Sequence, residues 1–244
     1  MNALIGSSGF VGTNLIKQYL FSHLYNSSNI QNIINYEYDT IFCAAPSAVK
    51  WLANKEPAED LQSIYNLAKY FKNIKTKRFI LFSTIDVYNQ FPSNEDVVID
   101  ITKTSFYGKN RFLLENFVTK YFTLYNIIRL PGLFGEGLKK NIIYDLLNNN
   151  LNYKINANDY YQWFYLKDIN KVIDYVVKEN ISVYNISTEP ISNKELVNNI
   201  VGTKYNDYLI YDNPKIYYDI RTKYGNYLYN KTDIFNKLNE FINF

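Results

Sequence analysis

In the stretch FYGKNRFLLE, Tyr107 and Arg111 stand four residues apart, a spacing that puts both side chains on one face of a helix. A phenol can donate or accept a proton in catalysis. Its ordinary pKa near ~10 makes it a poor base at neutral pH unless a cation lies close by. Arg111 could be that cation, or the pair could sit on an ordinary surface helix with a snorkelling arginine. A second chemical feature opens the chain. IGSSGFVG sets Gly6, Gly9 and Gly12 after a short apolar run and at the start of a helical pattern. Glycines so placed allow a tight turn and close backbone approach to a pyrophosphate, or serve only as a structural turn.

The elements that must position these residues are legible as alternating periods. ALI (3–5), TIFCAA (40–45), RFILFST (78–84) and LYNIIRL (124–130) read as strands. FVGTNLIKQYLF has helical spacing through Leu20 and Phe21. Leu61, Ile64, Leu67, Ala68 and Phe71 mark a helix starting near Pro57. Strands alternating with helices predict a parallel, doubly wound sheet. After Pro131 the elements shorten, with helices expected at 140–148, 168–178, 192–201 and 230–242 and strands at 160–166 and 183–187. No Gly/Ser or Pro-rich linker divides the chain.

Composition narrows the partners. With 244 residues and a net charge of +3, the chain has no Lys/Arg run suited to a nucleic-acid polymer or an anionic membrane. Its single cysteine, Cys43, cannot form an intramolecular disulfide. With no apolar run of ~18 residues, a soluble cytoplasmic protein is expected. His23 is the only histidine, which excludes a multi-histidine metal site, and no metal is expected.

Taken in order, Gly6-x-x-Gly9-x-x-Gly12, YDTIFCAAP, FSTIDVY, YGKNR and RLPGLFG resemble the extended short-chain dehydrogenase/reductases, the NAD-dependent epimerase/dehydratase group acting largely on nucleotide sugars. The resemblance runs from Met1 to about Asp168 and places YDTIFCAAP on a fourth strand, FSTIDVY after a fifth and RLPGLFG after a sixth. It implies a Rossmann-like α/β fold. An NAD(P)-binding domain at 1–135 would have returning segments around 160–190, and a smaller α/β substrate lobe would be interleaved at 136–244. A homodimer through the helices around 57–74 and 105–122 is implied as well.

The resemblance also assigns roles. The loop Gly6, Ser8, Gly9, Phe10, Val11 and Gly12 would hold the cofactor pyrophosphate. Ala44, Ala45 and Pro46 would line the adenosine and ribose path, and Pro131 would lie near the nicotinamide. Thr84, Tyr107 and Arg111 match the family's catalytic Ser/Thr, Tyr and Lys; Arg111 departs from the pattern, yet keeps a permanent charge able to lower the phenol pKa and bind the nicotinamide ribose. Asn26, Ser27 and Ser28 stand where an acidic residue would select NAD, which tilts the expectation to NADP over NAD. Family dehydratases carry Asp-Glu after the Thr. Here Ile85 and Asp86 follow, so dehydration is disfavoured and Asp86 is left as a substrate-side group. Lys139, Lys140, Asn141, Gln162 and Arg221 complete the expected substrate contacts, with Trp163 either beside them or in the core. Hydride transfer at a keto-sugar carbon, as 4-keto reduction or 4-epimerisation, is the expected reaction. A non-catalytic dinucleotide-binding protein of the same fold is the alternative.

Overall fold

The continuous apolar runs form strands buried on both faces, as parallel sheets require. The structure, a computed structural model, describes residues 1–243. In chain order its elements are β1 (Asn2–Ile5), α1 (Phe10–Ile16), β2 (His23–Tyr25), β3 (Glu37–Cys43), α2 (Lys50–Lys55), α3 (Pro57–Ala68), β4 (Lys75–Thr84), α4 (Phe106–Tyr121) and β5 (Tyr125–Leu130). Then follow β6 (Gly132–Phe134), α5 (Ile142–Leu147), β7 (Ile155–Asn156), β8 (Tyr160–Tyr161), β9 (Trp163–Tyr165), α6 (Ile169–Lys178), β10 (Val183–Asn185), β11 (Ile191–Ser192), α7 (Asn193–Val201), β12 (Leu209–Ile210) and α8 (Lys231–Ile242).

The first compact unit comprises 1–89, 97–130 and 168–185. Among the described residues it carries one six-stranded sheet in the order β10-β5-β4-β3-β1-β2, with every pairing parallel. Odd-numbered residues such as Ile5, Ile41, Phe79 and Ile127 pack with Ile64 and Leu67 of α3 and Leu114 and Val118 of α4. Alternation sends Phe42 to the opposite face, where its ring lies 5.2 Å from that of Tyr19. The Tyr19 hydroxyl donates to Asp174 on α6 at 3.1 Å. The chain winds one way from β1 to β2 and the other way from β3 onward. The crevice between β1 and β3 is therefore the switch point where such sheets bind ligands.

Two expectations change in this unit. The strand expected to be fourth, YDTIFC, is third in chain order. Segment 26–36 holds only a 3-10 turn at Ile30–Asn35, whereas a crossover helix and a further parallel strand would need roughly a dozen residues or more. The helix expected to reach Phe21 stops at Ile16, because the chain turns back for Ser22 N–H to bond Asn2 O at 2.8 Å, leaving Leu20 94% exposed.

The second unit comprises, among the described residues, 90–96, 131–167 and 186–243. It joins β6 to β9 and β7 to β12 in parallel, and β8 to β11 antiparallel. Phe134, Ile143, Trp163, Leu196, Ile234 and Leu238 share one of its cores. One boundary between the units falls at Leu130/Pro131. The returning segment is 168–185, while 160–167 stays with the second unit. Gln162 splits the expected 160–166 strand into β8 and β9.

Candidate active site

The glycine loop lies at the switch point. Gly6 leaves β1 at φ +83°, and a Cβ there would stand 2.6 Å from Ala44 O, at the end of β3. A Cβ on Gly12 would stand 2.1 Å from Gly6 O, so both glycines are dictated by the protein's own packing. Gly9 differs. Its Cβ would meet Gly6 O at an ordinary 3.4 Å, its backbone sits at φ −80°, and no side chain caps α1, which it begins. The fold does not require glycine there, but a pyrophosphate approaching the loop does, and in this respect the residues fit a dinucleotide. Ser8 and Gly9 are exposed, while Phe10 and Val11 are half-buried. Gly9→Val is expected to fold normally yet bind NAD(P) at least about tenfold more weakly, whereas Gly12→Ala should lower thermal stability. Calorimetric binding and thermal melts check the pair.

At the end of β2 the polar groups are partly committed to the turn. Asn26 Oδ1 accepts from Ser28 N at 2.9 Å and Ser28 Oγ at 2.6 Å, and Asn26 N donates to Asn29 Oδ1 at 2.8 Å. The Asn26 carbonyl and the Ser28 proton thus stabilise the loop itself, and Ser27 remains exposed.

Thr84 ends β4 and caps the turn that follows, its Oγ1 accepting from Asp86 N at 3.1 Å and donating to Asp86 Oδ2 at 3.3 Å. Tyr107 opens α4, where Ser105 caps the helix by accepting from Gly108 N at 3.2 Å. A Cβ on Gly108 would stand 1.9 Å from Asp86 O, so this glycine brings the first turn of α4 against the turn carrying Asp86. Asn54 of α2 accepts from Tyr107 N at 2.9 Å. Tyr107 is thereby seated beside the turn that carries Thr84 and Asp86. Lys50, from α2, donates to Asp86 Oδ1 at 2.6 Å.

Arg111 does lie over Tyr107, its guanidinium carbon 4.2 Å from the ring centre. However, its NH1 donates to Asp60 on α3 and its NH2 to the carbonyl of Ser47, and the residue is 4% exposed. Asn110 also donates to Asp60, at 2.7 Å. Arg111, expected to contact the nicotinamide ribose, forms a buried tie between α3, α4 and the segment after β3. Tyr107 is 7% exposed. Burial pushes its phenol above the ordinary value; Arg111 pulls it down, Asp86 pushes it up, and Lys50 and Thr84 pull it down. The expected lowering by Arg111 is present, but burial outweighs it.

Sequence reasoning missed the network beneath this pair. Glu115, one further turn along the Tyr107 and Arg111 stripe, accepts from Ser83 Oγ at 2.6 Å, Arg129 Nε at 3.0 Å and Arg129 NH2 at 2.6 Å. Arg129 NH1 donates to the Tyr88 hydroxyl at 2.7 Å, which also receives Asn185 Nδ2 at 3.0 Å. Burial opposes the Arg129 charge, yet Glu115 and Tyr88 together hold the guanidinium above its usual pKa. The signal was there in the sequence: a carboxylate on the buried stripe of α4 and an arginine inside the apolar run YNIIRL.

The expected substrate residues lie in the second unit, save Asp86. Lys139 and Lys140 are exposed. Asn141 is committed as the cap of α5, accepting from Tyr144 N at 3.1 Å and donating to Leu133 O at 2.9 Å. Gln162 is 1% exposed; it donates to Thr188 O and, at 2.7 Å, to Ile220 O, and accepts from Ile220 N at 2.8 Å. Its amide knits three segments together. Trp163 is core, against Gly132. Arg221 pairs through two donors with Asp219, at 3.2 and 2.9 Å. Pro131 is buried at the start of the unit.

A doubly wound sheet with a glycine loop at its switch point and a Thr-Tyr pair at its strand ends defines a Rossmann-like dinucleotide-binding fold. The chain belongs to the NAD dependent epimerase/dehydratase family, whose sequence model matches residues 20–187. Among solved structures it is similar to a dTDP-4-dehydrorhamnose reductase from Clostridium acetobutylicum, with a TM-score of 0.74 at 17% identity over 100% of this chain and 99% of that one. A UDP-glucose 4-epimerase from Thermotoga maritima gives 0.72 at 17% over 100% and 98%. A dTDP-4-dehydrorhamnose reductase from Bacillus anthracis, in complex with NADP, gives 0.72 at 17% over 98% and 97%. These likenesses establish the fold. No curated protein matches the sequence. No helix among the described residues is long and apolar enough to cross a membrane, and no cluster of metal-binding side chains occurs among them.

Proposed function

We propose that the chain is an NAD(P)-dependent oxidoreductase acting on a nucleotide-linked sugar by hydride transfer at a keto-sugar carbon. The observation that carries this reading is the buried Tyr107, whose helix start is packed through Gly108 against the turn that Thr84 caps, at the strand ends of a dinucleotide-binding sheet. The dinucleotide, when bound, supplies or accepts the hydride. Tyr107 gives its phenolic proton to the carbonyl oxygen as that oxygen becomes a hydroxyl, and Thr84 holds the same oxygen. Burial holds the phenol above its usual pKa, which suits it to donate a proton. Ile85, 4% exposed, occupies the position of a dehydratase acid, which argues against elimination of water. Absence of a carboxylate in the sequence Asn26-Ser27-Ser28 favours NADP over NAD.

The test is oxidation of NADPH or NADH by the purified protein with UDP-, GDP- and dTDP-linked 4-keto sugars. Turnover on one of them is expected. Arg111, committed to Asp60 and Ser47 instead of standing as a mobile lysine, supports the second reading, a dinucleotide-binding protein without catalysis. Tight dinucleotide binding with no turnover across the panel would establish it.

The raised phenol also sets a pH dependence. A general acid works in its protonated form, so ketone reduction should hold through neutral pH and decline only above the usual tyrosine range of about 10. Oxidation of the corresponding alcohol should rise over that alkaline range. A pH-rate profile of kcat in both directions checks the sign.

A further inference from the structure

The residue at position 111 has its donors tied to Asp60 and Ser47, and its charge lies over the ring face of Tyr107. A separate chain of contacts leads to the start of α4. Lys50 Nζ donates to Asp86 Oδ1 at 2.6 Å, and Thr84 Oγ1 donates to Asp86 Oδ2 at 3.3 Å. Gly108, whose Cβ would collide with Asp86 O, fixes the turn carrying Asp86 against the start of α4. Lys50 lies on α2, the same short helix whose Asn54 holds Tyr107 N. Two elements, α2 and the turn after β4, are thereby locked to the residue that must transfer the proton.

We infer that Lys50 is a positioning residue for the Tyr107 proton, a second cation on α2 that Asp86 steers towards the phenol and that acts alongside the fixed charge of Arg111. The inference rests on the reading of Tyr107 as the proton donor and extends it to a residue outside the Thr-Tyr-Arg set. Four groups surround Tyr107: Arg111 over its ring, Asp86 and Thr84 in the turn that Gly108 packs against, and Lys50, which pairs with Asp86 from the helix whose Asn54 holds the Tyr107 N–H. Arg111 is buried and held by Asp60 and Ser47. Lys50 has a side chain 44% exposed, and its partner Asp86 acts on the phenol with the opposite sign. The ion pair is therefore an adjustable dipole beside the reacting proton. Removing either end should move the phenol pKa, and the two ends should move it in opposite directions.

That opposition separates an electrostatic role from a merely structural bridge. Lys50→Met and Asp86→Asn break the same ion pair, so a structural bridge predicts the same response from both. The experiment places a fluorinated tyrosine at position 107, where fluorine lowers the phenol pKa into a tractable range and gives one ¹⁹F signal to titrate. In Lys50→Met the titration should move up by about half a pH unit, and in Asp86→Asn down by a similar amount, with Lys50→Arg close to the parent. No movement in Lys50→Met, or movement of both variants in one direction, would overturn the inference. The titration needs no substrate. Opposite shifts in a protein that turns over no keto sugar would refute the enzymatic reading alone, and normal turnover without the shifts would refute only the role of Lys50.

Discussion

Tyr107→Phe is expected to lose about 10²- to 10⁴-fold in turnover on the true nucleotide sugar, the range supplied by one positioned general acid, while binding NAD(P) nearly as tightly as the parent. The substitution removes one oxygen. The ring remains under the Arg111 guanidinium, and the backbone N–H still bonds Asn54, so the first turn of α4 keeps its seat against Asp86. Only the transferable proton disappears. Single-turnover kinetics and dinucleotide titration of the same preparation separate the two effects. An unchanged rate would make α4 a structural helix and remove the chemical centre of the proposal.

Glu115→Ala should be the most destabilising substitution near the site. Glu115 is 2% exposed and Arg129 5%, and the carboxylate neutralises the arginine while receiving Ser83. Breaking a buried pair from one side leaves an uncompensated charge and costs about 3–5 kcal/mol. For a chain of this size that corresponds to a fall of roughly 10 °C in Tm. The double variant Glu115→Leu/Arg129→Met removes both charges at similar volume and should recover more than half of the loss. Thermal melts of the three proteins check this. A single variant within about 1 kcal/mol of the parent would show that the network is open to water.

What the sequence disclosed follows from which interactions are local. Apolar runs and helical periods are local, so β1, β3, β4, β5, α3 and α4 were readable, as was the shared face of Tyr107 and Arg111. The order of the sheet required knowing that segment 26–36 was too short to hold another crossover. Partners distant in sequence were the blind spot. Nothing in FYGKNRFLLE says that Arg111 meets Asp60 fifty-one residues earlier, or that Lys50 reaches Asp86. The family pattern suggested a cation serving the ribose, whereas the three-dimensional arrangement turns that cation towards α3. Gln162 and Asn141, expected as substrate contacts, are engaged within the protein for a related reason. A polar side chain among apolar neighbours reads as available in one dimension, but burial obliges it to bond its own backbone surroundings.

The central claim is hydride transfer between a nicotinamide and a sugar carbon. Its most direct measurement uses NADPH deuterated at the transferable position of the nicotinamide, incubated with the protein and each nucleotide-linked 4-keto sugar. The products are then analysed by mass spectrometry and NMR. The account predicts one deuterium on the carbon that gains the hydroxyl, and its loss in Tyr107→Phe. A protein that binds the dinucleotide yet leaves every sugar of the panel free of deuterium would contradict it.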